Sequence, residues 1–170
     1  MFYTGAMASI APSPVILSDT RPPIAAEVAR GVTRMLLAHD LTAMPEVPLD
    51  GGRRADLMAI DARGQIVIVE IKVSRADLFG DGKWTDYLAH CDRYFWAVPA
   101  GFDVSPLEGE VFMPSRTGII VADRYEATIL REASTTPLPA HIRKRGTLSF
   151  ARRAARRLIG CLDPDAIQGF

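Results

Sequence analysis

Arg53-Arg54-Ala55-Asp56-Leu57-Met58-Ala59-Ile60-Asp61, then Ala62-Arg63-Gly64, then Gln65-Ile66-Val67-Ile68-Val69-Glu70-Ile71-Lys72-Val73-Ser74 is the stretch whose reading decides the fold. The two flanks are strand-like, and three residues ending in Gly make a common hairpin loop. If Asp61 faces Gln65, paired residue numbers sum to 126 and Asp56 falls directly opposite Glu70. Side chains alternate along a strand, so Asp56, Glu70 and Lys72 share one face. The second strand is apolar on both faces, as a central strand covered on two sides would be.

Two carboxylates and one ammonium thus converge at the end of a mostly apolar strand pair. Cross-strand neighbours lie about 5 Å apart at Cβ, where two ionised carboxylates repel. A hard divalent cation relieves that repulsion, and Mg²⁺ suits a site offering one or two carboxylates. On a solvated sheet, Glu-X-Lys would be an ordinary same-face ion pair. On a buried strand, three ionisable groups without a partner are costly, which points to a site.

Outward from the hairpin, Ile24 to about His39 carries Val28, Val32, Met35 and Leu36 at helical spacing after Pro22-Pro23. A short strand-like segment follows at Thr42–Pro48, and Gly51-Gly52 marks a turn. Downstream, 75–82 reads as a linker, Lys83–Arg93 as a helix and Tyr94–Pro99 as a third long strand. Glu110–Met113, Thr117–Ala122 and Ala127–Arg131 read as short strands. Ser134–Pro139 reads as a hinge before a basic helix over about 147–161. The order implies an α/β protein with helices on both faces of a mixed sheet. Residues 1–20 read as a loosely ordered arm and 21–170 as one domain.

The 170 residues are 48% hydrophobic and 24% charged, ordinary for a folded domain. No apolar run is long enough to span a membrane, and Met1 to Thr20 carries no basic residue, so the expectation is a cytoplasmic protein without membrane partners. Cys91 and Cys161 match neither a zinc spacing nor a disulfide framework. His39, His90 and His141 show no ligand spacing, and neither GxSxG nor a P-loop occurs. Net charge is zero, yet residues 141–160 hold seven cations and no acid. Such asymmetry suggests a polyanion partner. Arg152, Arg153, Arg156 and Arg157 form a ridge on that helix, with Leu148, Ala151, Ala155 and Leu158 expected toward the body. Arg54, Arg75 and Lys83 are further candidates for phosphate contact near the carboxylates, Lys83 sharing a helix face with Tyr87.

Arg54-Ala55-Asp56 with Val69-Glu70-Ile71-Lys72 resembles the PD-(D/E)XK motif of restriction-endonuclease-like folds, and the helix carrying Glu27 resembles that superfamily's first acidic motif. Lys83-Trp84-Thr85-Asp86-Tyr87, Cys91-Asp92-Arg93-Tyr94-Phe95-Trp96-Ala97-Val98-Pro99, Pro114 and Thr117–Asp123 extend the likeness to the MmcB-type DNA repair proteins, over about residues 22–160. Ala55 stands where the motif often has Pro. The resemblance implies a metal-dependent nuclease core acting on damaged or structured DNA, with repair proteins as partners. It makes Asp56, Glu70 and the main-chain carbonyl of Ile71 ligands of Mg²⁺ or Mn²⁺, Lys72 the catalytic cation and Glu27 an auxiliary acid. A non-catalytic DNA-binding or adaptor protein on the same fold is the alternative.

Overall fold

A computed structural model describes residues 25–167. The expected N-terminal arm lies outside them. The elements are α1 (Ala25–Ala38), β1 (Leu41–Pro48), β2 (Arg54–Asp61), β3 (Ile66–Ile71), α2 (Arg75–Gly80), β4 (Arg93–Pro99), β5 (Thr117–Ala122), β6 (Ala127–Arg131) and α3 (Ala140–Leu162). Short 3₁₀ helices at Trp84–His90, Ser105–Glu108, Glu110–Phe112 and Pro164–Ile167 fill the connections. The six strands lie in sequence order in one sheet. β1, β2 and β3 form an antiparallel meander, β4 joins β3 in parallel, β5 joins β4 in parallel, and β6 closes antiparallel.

The β2–β3 register is the one read from the loop: Leu57 faces Val69, Met58 faces Ile68 and Ile60 faces Ile66. Asp61 N donates to Gln65 O across the loop, and Gly64 takes the left-handed φ of 77° that the turn demands. All six β3 residues are buried, because a core layer covers each face. One layer holds Val28, Val32 and Leu36 of α1 against Leu57, Val67, Val69 and Phe95. The other holds Met58, Ile66, Ile68, Tyr94, Trp96 and the 3₁₀ helix at Trp84–His90.

Four expectations are corrected. Residues 75–80 are not linker but the helix α2, whose N-cap Ser74 accepts a hydrogen bond from Asp77 N. Such a cap contributes about 1 kcal/mol, enough to settle a six-residue helix that packing also holds through buried Leu78. The segment after it is a 3₁₀ helix, so three residues per turn bring Trp84 and Tyr87 to the buried face and leave Lys83 exposed. Glu110–Phe112 is a 3₁₀ turn rather than a strand.

The fourth correction concerns α3, which begins at Ala140, straight after Pro139, and docks by a different side from the one expected. Phe150 and Ala154 pack on the core, and Gly146 lies close against Ile66. Leu148 and Leu158 are instead 54% and 60% exposed. The reason is an ion pair. Fully buried Asp92 accepts from Ile66 N (2.7 Å), Leu138 N (2.8 Å) and both terminal nitrogens of Arg143 (2.6 and 2.7 Å). Arg143 also donates to Gly64 O. This network stitches the first turn of α3 to the start of β3 and fixes the helix rotation.

Candidate active site

Regular pairing of β2 and β3 stops at Leu57–Val69, and carboxylates take over the main chain beyond it. Asp56 N donates to Glu70 Oε1 (3.1 Å), and Ile71 N donates to Asp56 Oδ2 (2.8 Å). Each side chain thereby satisfies the backbone of the opposite strand. Neither Asp56 Oδ1 nor Glu70 Oε2 has a hydrogen-bond partner among the described residues. Two uncommitted carboxylate oxygens therefore sit at the C-terminal end of β3.

Glu70 is only 3% exposed. Burial, and then the charge of Asp56, push its carboxyl up to about 8. Burial also raises Asp56, although the Ile71 N–H and Lys72 counteract it. Both shifts arise from two acids held in a desolvated niche. Lys72, 6% exposed, is anchored through its main-chain N–H to Ala97 O. Its ammonium lies 3.1 Å from Asp81 and 3.9 Å from Asp77, and 5.9 Å from the ring centre of Trp96.

Asp81 and Asp77 were not singled out from the sequence. Asp77 is the third residue of α2, and its side chain reaches back to Val73 N. Ser74-X-X-Asp77 is the capping pattern that could have revealed this helix, and with it the acids beside Lys72. Glu46 is a second omission. It lies across from Asp56 in β1, takes a left-handed φ of 55°, and binds Arg54 through its carboxylate (2.5 Å). Arg157 reaches the Glu46 carbonyl at 3.4 Å, so the basic ridge of α3 meets the edge of the site here.

Aromatic rings form the wall behind the acids. Trp96 contacts Trp84, Tyr94 and Phe112 at centroid distances of 5.0–5.7 Å. Tyr87 donates from its hydroxyl to Arg54 O and holds the start of β2. Burial, followed by the charge of Glu70, raises the Tyr87 phenol well above its ordinary range. These rings are core.

Of the expected site residues, the structure brings Asp56, Glu70 and Lys72 together. It does not bring Glu27 to them. Glu27 sits on α1, over the face lined by Leu57, Val67 and Val69, and pairs with Arg124 at 3.5 Å. Strand alternation puts Glu70 on the opposite face, with Ile68. Arg75 is bound to Asp103 (2.6 Å), and Lys83 is exposed. No three His, Cys, Asp or Glu side chains among the described residues converge as a metal-ligating group. A Mg²⁺ site does not require three, since that ion keeps several waters. The free oxygens on half-buried Asp56 and buried Glu70 fit such an ion, whose charge would favour ionisation of both acids.

A mixed sheet covered on both faces, with an Asp and a Glu-X-Lys meeting at the end of its central hairpin, defines a PD-(D/E)XK-type fold. Within that class, residues 13–165 match the family described as DNA repair protein MmcB-like, and the chain belongs to this family. A solved protein of unknown function from Silicibacter pomeroyi is 40% identical, with a TM-score of 0.77, over 90% of this chain and 99% of its own. SfsA from Pyrococcus furiosus, solved with Ca²⁺, is 12% identical over 60% of this chain and 59% of its own, with a TM-score of 0.33. No curated protein matches the chain. Among the described residues no helix is long and apolar enough to cross a membrane.

Proposed function

We propose that this protein is a divalent-metal-dependent DNA nuclease of repair, hydrolysing phosphodiester bonds at Asp56, Glu70 and Lys72. The observation that carries this reading is the reciprocal clasp of Asp56 and Glu70, which leaves one oxygen of each free in a buried niche. Those oxygens, with the main-chain carbonyl of Ile71, would hold Mg²⁺ or Mn²⁺. Such an ion, when bound, supplies positive charge to a phosphate oxygen and acidifies water. Lys72 would set its ammonium against the negative charge that builds on the phosphoryl group. Glu27 is left out of this set because its carboxylate serves Arg124 on the other face.

DNA would approach across Arg54, Arg75 and Lys83 around the niche, and continue over Arg152, Arg153, Arg156 and Arg157 of α3. The meeting of Arg54 and Arg157 at Glu46 supports one continuous path. Damaged or branched DNA is the proposed substrate class, from membership of a repair family. The test is cleavage of nicked, branched, single-stranded and plain duplex DNA with Mg²⁺ or Mn²⁺. Wild type should cut at least one, and Asp56→Ala, Glu70→Ala and Lys72→Ala should each lose cleavage while keeping their circular dichroism. Cleavage by a preparation of Asp56→Ala equal to wild type would overturn the reading.

A second reading, DNA recognition without cleavage, draws support from Lys72. Its ammonium is engaged by Asp81 rather than by the two catalytic carboxylates. Binding of DNA by wild type, with no cleavage of any substrate under either metal, would favour it.

A further inference from the structure

The outer side of α3 carries a feature that phosphate contact leaves unexplained. Leu148, Ala151, Ala155, Leu158 and Leu162 recur at spacings of three, four, three and four residues, the a/d pattern of a coiled-coil seam. All five are exposed, Leu148 at 54%, Leu158 at 60% and Leu162 at 77%. Over these two heptads the stripe is about 20 Å long at 1.5 Å per residue. Its leucines and alanines keep to a and d positions, and Ile159, 44% exposed, adds an apolar e position beside Leu158 and Leu162. Its alanines would let a second helix approach closely. A duplex bound through its phosphates needs none of these residues.

Charge selects the occupant. Arg145 and Arg152 occupy e positions beside the seam, Arg156 lies next to them, and α3 has no acid from end to end. Among the described residues no ion pair engages Arg152 or Arg156. Together with Leu148 and Arg153 they border a groove of about 870 Å³ running along the helix. Two copies of α3 side by side would set Arg152 and Arg156 of one against those of the other, with no acid on either helix to offset them. We infer that the seam is a docking surface for an acidic amphipathic helix of another protein, its apolar residues on Leu148, Leu158 and Leu162 and its carboxylates on Arg152 and Arg156. This goes beyond the nuclease reading and does not depend on it, since none of the seam residues belongs to the metal niche.

The test uses the full-length protein and a fluorescein-labelled three-heptad peptide with Leu at a and d and Glu at e and g, whose charges keep it from pairing with itself. A matched peptide has Lys in place of Glu. Wild type should bind the acidic peptide and not the basic one. Leu158→Glu, and separately Arg152→Glu with Arg156→Glu, should each weaken binding about tenfold or more, as loss of an anchor at an interface centre does. Leu158→Glu should leave helicity and duplex-DNA affinity unchanged, because that side chain faces solvent. The inference is overturned by equal binding of the two peptides, or by equal binding to wild type and Leu158→Glu. It is overturned equally by a wild-type dimer that Leu158→Glu makes monomeric, by co-sedimentation with phosphatidylglycerol vesicles that Leu158→Glu abolishes, or by a parallel loss of DNA affinity. Those outcomes would assign the seam to a second copy, a lipid surface or the nucleic acid respectively.

Discussion

At the scale of single residues, Glu70 and Asp92 are buried acids that protein chemistry treats in opposite ways. Burial raises Glu70 to about 8 against an ordinary 4.5, so the folded chain holds a proton that the unfolded chain has released. Between those values the native state binds more protons, and stability falls as pH rises. Urea midpoints measured in EDTA should therefore drop from pH 6 to pH 8.5 in wild type. Glu70→Gln should remove much of that drop, and an unchanged slope in the variant would assign it to another group. If the niche holds Mg²⁺ as proposed, the ion would compete with this proton, bind more tightly as pH rises towards 8 and release protons on binding, measurable by calorimetry in buffers of different ionisation enthalpy. Asp92 is equally buried, but burial is outweighed there by Arg143 and the Ile66 and Leu138 N–H groups, and its carboxyl is lowered. Its contribution is present at neutral pH and is lost as pH falls below the ordinary 3.8. Asp92→Ala would strand Arg143 and two main-chain donors. A loss of about 3–5 kcal/mol in chemical denaturation is expected, the usual cost of removing one partner of a buried pair.

Elements are placed by close backbone approaches as much as by apolar patterns. A Cβ on Gly31 of α1 would overlap the Asp123 carbonyl and lie 2.7 Å from the Glu126 carbonyl, both in the β5–β6 turn. The Glu126 carbonyl accepts from Asp123 N, and this main-chain bond closes the turn against which the Cβ would press. A Cβ on Gly146 of α3 crowds the Ile66 Cδ1 methyl, at 2.8 Å, and makes ordinary contact with Met58 Cε at 3.8 Å. Gly31→Ala should therefore cost about 1–3 kcal/mol or more through overpacking. Gly146→Ala should come out within about 1 kcal/mol of wild type, since a gain in helix propensity offsets a movable methyl. Thermal melts of the two variants check the contrast. The hairpin and its acids were legible in the sequence because a three-residue loop ending in Gly sets the register, and register alone puts Asp56 opposite Glu70. The side of α3 that faces the body was not legible. Its rotation depends on Asp92, 51 residues away in the chain, and hydrophobicity alone favoured the leucine side. Lys83 misled for a related reason: helical spacing was read at 3.6 residues per turn where the chain winds at three. Asp81 was hidden between Gly80 and Gly82, which read as linker until Ser74 is recognised as a cap.

For the whole molecule the question is how a chain of zero net charge could hold a polyanion. The answer lies in how the cations are paired. Arg143 serves Asp92, Arg145 serves Asp50 (2.7 Å), Arg54 serves Glu46 and Arg75 serves Asp103. Arg54, Arg75 and Arg145 are more than half exposed in those pairs, where a phosphate could replace the acid, so net charge says little about the surface a duplex would meet. Arg152, Arg153, Arg156 and Arg157 remain on one helix, joined to the niche where Arg157 reaches Glu46. If all four meet phosphates, the logarithm of affinity should fall against the logarithm of salt with a slope of roughly −3.6, at about −0.9 per contact. Arg152 and Arg156 are exposed, so Arg152→Ala with Arg156→Ala should leave the fold intact. That double variant should halve the slope to roughly −1.8 and weaken binding to all sequences alike, because phosphate contacts carry no base information. Fluorescence anisotropy on a short duplex from about 50 to 200 mM salt spans the range in which such slopes are read. With DNA saturating, cleavage by the double variant should stay near wild type, since Asp56 and Glu70 are untouched. A slope that does not change would remove α3 from the DNA path and leave its free arginines to the acidic helix alone.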